Sequence, residues 1–421
     1  MSGSRRVRLG LRENAAQFGL LVAVNAFVGA MVGLERSTLP LIGRDDFGVG
    51  SSAAVLSFIV AFGLAKSLTN LGAGALAERV GRRRLLLLGW ACALPVPLLI
   101  AVASSWAWVV AANVLLGLNQ GLAWSMTVVM KIDLVGPKRR GLALGLNESA
   151  GYGGVALAAA ASGWLASEFA ARDVLVVGGG VVAVTALLLS ALFVRDTAAH
   201  VELEQAAATL DEAVRRPTLR SSSQAGLVNN ANDALAWGLV PLFLAAGGAS
   251  AGQIGLVAGL YPAVWGAGQV WTGHLSDRLG RKPLIVTGML IQASALALLA
   301  ASDAAVPTAA AAAVLLGAGT ALVYPTLIAA ISDAVAPIAR APAVGVYRFW
   351  RDMGYVVGGL LAGIAADSFD PSAAILVIAG LTAASGLWVA VDMPGRPGRL
   401  GVSSPSGSPP PGRSPAPARQ R

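Results

Sequence analysis

Along most of the chain, apolar residues run for about twenty positions, give way to a short polar stretch, and resume. A helix rising about 1.5 Å per residue needs about 20 mostly apolar residues to cross the hydrocarbon of a bilayer. Twelve stretches fit, centred near positions 25, 64, 94, 120, 153, 184, 235, 264, 292, 320, 353 and 382. The pattern predicts an all-α membrane protein with twelve transmembrane helices. Pro95, Pro97, Pro262 and Pro325 fall inside these stretches. Spanning helices tolerate them because neighbouring helices re-satisfy the freed backbone groups. The first stretch follows a basic N-terminus, MSGSRRVRLGLRENAAQ, and no small-residue cleavage site comes after it. It is expected to remain as a helix instead of being removed as a signal peptide.

The polar connections alternate in charge. One set holds Arg5, Arg6, Arg8 and Arg12, then Arg79 and Arg82–Arg84, Lys138–Arg140, Arg195, Arg215, Arg216 and Arg220, Arg278, Arg281 and Lys282, Arg340, and the arginines of the tail. The other set is short, with Arg44 and Arg172 as its clear bases and acids that include Asp45, Asp46, Glu168, Asp303, Asp367 and Asp370. The positive-inside rule then puts both termini in the cytoplasm, in agreement with an even helix count. The expected organisation is a basic cytoplasmic N-terminus at 1–13, a six-helix half at 14–194, a polar cytoplasmic linker at 195–223, a second half at 224–392, and a Pro/Ser/Gly/Arg-rich tail at 393–421. The linker is expected to hold a short surface helix. The tail has almost nothing to bury and is expected to be disordered.

Composition agrees with lipid as the solvent. The 421 residues are 56% hydrophobic and only 13% charged, against about 25% charged in soluble domains. A net charge of +9 on a soluble protein would point to nucleic acid; here the basic residues sit between apolar segments, so they report topology and no nucleic-acid partner is expected. Cys92 is the only cysteine and His200 and His274 the only histidines. That leaves no intrachain disulfide, no zinc or haem spacing and no expected metal or cofactor.

The chain repeats itself. GALAERVGRR begins at Gly74 and GHLSDRLGRK at Gly273. Glu78 finds Asp277 199 positions on, Asp133 finds Asp333, Pro137 finds Pro337, Arg140 finds Arg340, and Gly151-Tyr152 recurs as Gly354-Tyr355. Shared landmarks at one offset imply two six-helix halves of the same orientation, a transporter architecture. The runs G-x-L-A-E-R-x-G-R-R and G-x-L-S-D-R-x-G-R-K resemble the signature loop between helices 2 and 3 of the major facilitator superfamily and its second-half copy. The resemblance covers residues 14–392 and implies the superfamily's fold: twelve helices as two parallel six-helix repeats. It also implies that the loop residues Gly74, Glu78, Arg79, Gly81, Arg82, Gly273, Asp277, Arg278, Gly280 and Arg281 stabilise the outward-facing state and separate when the cytoplasmic side opens. Two departures stand out. Glu78 replaces the usual Asp, and AGYGG in the fifth helix lacks the proline of the drug-antiporter branch. Independently of the family, Gly74 and Gly273 would admit a neighbouring helix, and Gly81 and Gly280 would permit the tight turn.

An ionisable side chain at the centre of a spanning helix costs about 2.5–3.5 kcal/mol on insertion scales and so needs a reason. Lys66 lies twelve residues, about 18 Å of helix, from Glu78. It reads as a cavity cation for substrate or an acid, or as half of a structural ion pair. Glu148 faces, by the repeat, the region of Arg348, Arg351 and Asp352. An acid on one half and a base on the other would make a contact that exists in one conformation only, or else a permanent salt bridge. Asp233, with Asn229, Asn230 and Asn232 around it, reads as a proton carrier, a substrate contact or a structural group. Glu35 and Arg36 end the first helix and are expected at an outer gate; being adjacent, they point to different sides. Asn25, Asn119 and Gln120 either line a cavity or join helices. Trp237 and Trp265 are candidate cavity walls, and Trp106, Trp108 and Trp164 belong to an interfacial belt.

No G-x-x-x-x-G-K-[ST] run occurs, so energy must come from a gradient. The expectation is a monomeric secondary transporter of the cell membrane, working by alternating access on a small organic solute. Proton-coupled export is favoured, with Lys66, Glu148, Asp233, Arg348, Arg351, Asp352, Asn232 and Glu35 as candidates for substrate or proton coupling. Uptake by a symporter of the same fold is the alternative. A receptor or membrane enzyme would need a catalytic cluster or a sensing domain, and no enzyme activity is expected. The cations Lys66, Arg348 and Arg351 raise the further expectation of an anionic cargo.

Overall fold

The computed structural model describes residues 9–135, 140–200, 216–335 and 340–395. The residues at 1–8, most of the linker, the loops at 136–139 and 336–339, and the tail from 396 lie outside the described residues. So do the expectations that fall on them, including the linker surface helix and the disordered tail. All described elements are helical. The N-terminal half contains α1 (Ala15–Asp45), α2 (Ser52–Val80), α3 (Arg82–Ala93), α4 (Pro95–Val102), α5 (Trp106–Asn119), α6 (Ser125–Val135), α7 (Arg140–Leu165) and α8 (Ala171–Phe193). A π turn, Gln120–Trp124, joins α5 to α6 without a break. Pro95 and Pro97 divide α3 from α4, as expected where the backbone lacks donors. The C-terminal half contains α9 (Pro217–Ala246), α10 (Ala251–Leu279), α11 (Arg281–Ala300), α12 (Val306–Ala334), α13 (Arg340–Ser368) and α14 (Pro371–Asp392).

Among the described residues, eight spans are long and apolar enough to cross a membrane: Ala15–Asp45, Ser52–Val80, Arg82–Val102, Trp106–Val135, Ala171–Phe193, Arg281–Ala300, Val306–Ala334 and Pro371–Asp392. The expected twelve crossings are therefore not established by length and composition. The four helices short of that measure, α7, α9, α10 and α13, run 26, 30, 29 and 29 residues. They carry Glu148, Asp233, Gln269, Arg351 and Asp352, all buried inside the protein. Their low hydropathy reflects the polar groups they turn inward. Large apolar side chains such as Leu98, Leu157, Val177, Leu192 and Val391 stand on the outer surface, an arrangement suited to acyl chains and costly in water.

The repeat is visible in the packing. Helix α1 packs on α7 and α8, and α2 packs on α5; in the second half α9 packs on α13 and α14, and α10 on α12. The two close pairings rest on glycine. A Cβ at Gly151 would stand 2.5 Å from the Trp124 ring and 2.8 Å from Asn25 Nδ2, and one at Gly354 would meet Leu227 O. The halves join through α2 against α13 and α7 against α10.

The chain turns sharply between α2 and α3 and between α10 and α11, at the arginine-rich end of the bundle. Gly81 and Gly280 sit in those turns at φ +95° and +94°, a region that favours glycine. At the far end the halves are pressed together. There Asp367 of α13 closes the N-terminus of α2. Its carboxylate accepts from Ser51 Oγ at 2.6 Å, Ser52 N at 2.6 Å and Ala53 N at 3.0 Å. A carboxylate is favourable on the unpaired N–H groups that open a helix. Because the acid and the helix belong to different halves, this contact must break whenever the far end opens. Asp367→Asn is expected to cost the closed far end about 1.5–3 kcal/mol, the worth of hydrogen bonds to a charged group. The shift to the far-end-open form is then about tenfold or more. Labelling of a cysteine placed at Leu56, buried against Gly238 of the other half, with Cys92 removed, checks it: unchanged labelling rejects the latch.

Candidate functional site

The most deeply buried charges converge midway along the bundle, where α1, α2, α5–α7, α9, α10, α12 and α13 meet. Asp352 of α13 is the hub, at 0% exposure. It accepts from its neighbour Arg351 through Nε at 2.9 Å and an Nη at 2.7 Å, from Asn230 Nδ2 at 3.2 Å, and from Asn70 Nδ2. Lys66 Nζ lies 3.8 Å away. Thus Lys66 and Asn70 of one half grip an acid of the other. Ser125 Oγ, just past the π turn, donates to Asn70 Oδ1 at 2.8 Å and fixes the direction of that amide.

The network continues toward Glu148. The other Nη of Arg351 donates to Tyr324 OH at 2.6 Å, and Tyr324 OH donates to Glu148 Oε2 at 3.0 Å. Glu148 Oε1 accepts from Trp124 Nε1 at 3.0 Å and Asn147 Nδ2 at 3.1 Å. The acid of one half and the base of the other are linked, as the repeat led us to expect, but through a tyrosine. Arg348, half-buried one turn along, stands apart with an unpaired Nε. The π turn has a role here, since an extra backbone residue re-aims the side chains beyond it, and Trp124 at its end reaches Glu148. The repeat position of Ser125 is Pro325, inside α12, so the equivalent helix in the second half is also perturbed at this level.

Asp233 of α9 is enclosed separately. Its carboxylate accepts from Tyr261 OH and, at 3.2 Å, from Tyr355 OH. Aromatic rings form the surrounding wall. Tyr152 and Trp265 lie 3.5 Å apart across the halves, Phe62 meets Tyr355 at 5.4 Å, and Trp237 stacks on Tyr355 at 6.3 Å. Trp237 and Tyr261 also border an apolar cavity of about 30 Å³, with Val240, Leu244, Leu296 and Leu316.

Asn232 does not join this cluster. It donates to Gln292 Oε1 at 2.6 Å and accepts from Thr382 Oγ1 at 2.7 Å, while Gln292 donates to Asn229 at 3.0 Å. Successive residues on a helix are about 100° apart, so Asn232 and Asn229 face α11 and α14 while Asn230 and Asp233 face inward. Glu35 and Arg36 do part company, as adjacency requires. Glu35 faces Asn113 and a small apolar recess with Val96, Pro97 and Leu175. Arg36 enters the aromatic wall. Neither lies at an exposed gate; both are buried. Asn25, Asn119 and Gln120 join helices, binding the backbone oxygens of Asn147, Gly89 and Val28 at 2.7–2.9 Å. Trp108 and Trp164 are exposed, but Trp106 turns inward to Ala54 O.

Several members of the site emit no charge signal in the sequence, though Tyr355 marks the repeat. Tyr261, Tyr324 and Tyr355 carry no formal charge and so raise no insertion penalty to notice. Lys131, fully buried with Nζ on Leu21 O at 3.0 Å, was detectable by the penalty argument applied to Lys66.

At the arginine-rich end the signature residues form a pair of matched clusters, one in each half. Arg82 lies 3.5 Å from Asp133, and Arg281 lies 2.9 Å from Asp333 and 2.7 Å from Asp277. Glu78 and Arg79 are exposed, as are Asp277 and Arg278. The close helix approach expected at Gly74 is absent, since a Cβ there would meet nothing within 4 Å. Leu68, Leu71, Leu275 and Leu279, toward the same end, are exposed. The surroundings of Gly273 fall outside the described residues. At the far end the two halves are in direct contact, through Asp367 on the α2 N-terminus and Gly163 against Gly255.

The protein resembles known proteins over nearly its whole length. The family model described as Major Facilitator Superfamily matches twice, over residues 16–231 and 223–417. Among solved structures, a crystal structure of a single-site mutant of the nucleoside transporter NupG superimposes with a TM-score of 0.70 at 13% identity, covering 89% of this chain and 100% of that one. At that identity the likeness carries the fold alone. The doubled family match follows the two-half repeat, and the chain belongs to the Major Facilitator Superfamily: it is a multi-pass membrane transporter and not an enzyme.

Proposed function

We propose that this transporter moves a small organic solute by alternating access and couples the movement to protons, with the buried acids at the join of the halves as the coupling groups. One observation carries the reading: the unbroken hydrogen-bond chain from Trp124 and Glu148 through Tyr324 and Arg351 to Asp352, Asn70 and Ser125, which crosses between the halves twice. A network shared by two bodies that swing apart has two discrete arrangements, and adding or removing a proton biases one of them. In this reading all twelve long rods cross the membrane, including α7, α9, α10 and α13, the protein acts as a monomer, and the arginine-rich end and both termini face the cytoplasm of the cell. Such a topology agrees with the positive-inside rule.

A proton moving down the potential gains about 2.3 kcal/mol per 100 mV. Asp233, held by two tyrosine hydroxyls outside the main network, is the group we assign to that proton. Asp233→Asn is expected to abolish flux driven by a pH gradient in proteoliposomes while leaving solute counterflow intact; full gradient-driven flux in the variant would remove Asp233 from the role. Export is the direction we favour, with the proton moving inward through the buried acids. The likeness to a nucleoside transporter favours a second reading, uptake by symport. Inside-out vesicles energised with an interior-acid gradient separate the two, since an exporter accumulates solute there and a symporter does not.

A further inference from the structure

The cationic residues beside the central acids differ in one respect. Lys66 and Arg351 are spent on Asp352. Arg36 is not spent. Its side chain is at 0% exposure, and Nε and both Nη atoms have no hydrogen-bond partner. Burying a charge without hydrogen bonds is costly, and an unpaired buried guanidinium calls for an explanation. Part of the cost is met by aromatic faces: the guanidinium carbon lies 4.6 Å from the Phe62 ring centroid, 5.4 Å from Trp237 and 5.7 Å from Phe58. Cation–π contacts of this kind are worth about 0.5–2 kcal/mol each, but they leave the five N–H donors unused. The nearest acids are Glu35, directed to the other side of α1, and Asp233, already held by Tyr261 and Tyr355.

The position of Arg36 sharpens the point. It lies between the central network and the closed far end, on α1, with α2 and α9 supplying its cage. In this conformation the far end is sealed by Asp367 on the α2 N-terminus, and no solute can reach the guanidinium. Parting the far end separates α2 from α13 and opens the cage, whose aromatic faces would then flank whatever docks on the fork of donors. A planar fork between ring faces fits a carboxylate carried on a flat apolar body: the carboxylate takes two parallel N–H bonds and the body stacks on Trp237 or Phe62.

We propose that Arg36 is the contact for the carboxylate of an aromatic or similarly planar organic anion, the transported solute, engaged when the far end is open. The inference rests on the alternating-access reading above, because only that motion uncovers the residue. It replaces Lys66, Arg348 and Arg351 as the reason for expecting an anionic cargo.

The test is binding of radiolabelled benzoate and indoleacetate to purified full-length protein in detergent, with no gradient, in the wild type and in D367N, whose far end is loosened. Saturable binding of either acid is expected in at least one of the two, tighter in D367N. R36Q in the same background is expected to lose it at least tenfold, and R36K, which keeps the charge without the planar fork, to lose less. Benzyl alcohol and inorganic phosphate at the same concentrations are expected not to compete. Benzoate and indoleacetate binding unchanged in R36Q, equal competition by benzyl alcohol, or no saturable binding in either background would overturn the proposal. The two readings fail separately. Binding lost in R36Q in a protein that no proton gradient drives leaves the anion contact standing and removes the coupling. Gradient-driven flux indifferent to R36Q does the reverse.

Discussion

Asp352→Ala is expected to abolish transport and to lower the stability of the protein by about 3–5 kcal/mol, the usual cost of removing one partner of a buried ion pair. The size of the effect comes from what the variant leaves behind. Arg351 would keep its bond to Tyr324 but lose both contacts to the acid, and Lys66 would stand without a counter-ion among Phe62, Trp124 and Tyr355, whose rings lie 5.4–5.7 Å away. Asn70 and Asn230 would each lose an acceptor. The cost is therefore uncompensated buried charge more than the worth of a bond. A second variant separates this from a general packing defect: Arg351→Gln together with Asp352→Asn removes acid and base at once, and is expected to recover much of the stability, while flux stays below about a tenth of wild type because the link between halves is gone. Denaturation in mixed micelles and solute flux in proteoliposomes read the two quantities. A double variant as unstable as Asp352→Ala would show that Asp352 acts by shape and not by charge.

How much of this arrangement the sequence disclosed depends on which physical signal each residue emits. Length and hydropathy placed an apolar stretch along each long rod, though among the described residues only eight of the rods are long and apolar enough to cross a membrane by that measure, and the 199–200 offset matched Arg82 with Arg281 and Asp133 with Asp333, residues that the structure joins into equivalent pairs. The insertion penalty flagged Lys66, Glu148, Asp233, Arg348, Arg351, Asp352, Glu35 and Arg36; Lys66, Glu148, Arg351 and Asp352 share one network, Asp233 is held beside it, and the other three stand outside it. The penalty says that a charge needs a partner; it does not say which one. Hence the tyrosines stayed hidden, for the partner of Glu148 comes from position 324 on another helix, and the π turn that aims Trp124 has no mark in the composition of QGLAW. Asn232 shows the complementary limit. In a run such as NNAND every face of the helix is polar, so periodicity cannot assign an inward side. The depth of Glu35 and Arg36 was misjudged for a related reason. They were placed by distance from the helix end, yet α1 runs on to Asp45, about 13 Å past Arg36 at the helical rise.

The far-end join offers the other large effect, and it derives from close packing alone. Gly163 of α7 and Gly255 of α10 face each other across the halves; a Cβ built on Gly163 would stand 2.5 Å from Gly255 Cα, and one on Gly255 would stand 2.7 Å from Gly163 Cα and 2.9 Å from Ala159 O. Those neighbours are backbone, so nothing flexible can move aside. Gly255→Val is expected to prevent the far end from closing and to hold the transporter open there, with transport reduced to about 1% of wild type or less. Interior packing is near crystal density, and a rigid contact of this kind behaves as a switch with two positions and no intermediate one. A substitution inside one half, such as Gly154→Val against Ala26 O, is expected instead to unfold that half, since α1 and α7 have no alternative arrangement. The distinction is measurable. Cys92 is the single cysteine, so a cysteine-free background needs one replacement, and paired spin labels near residues 51 and 367 report the far-end separation directly. Gly255→Val should lengthen that distance while thermal unfolding stays close to wild type. If the distance were unchanged and the protein merely destabilised, the α7–α10 contact would be ordinary packing, and closure of the far end would have to be governed elsewhere.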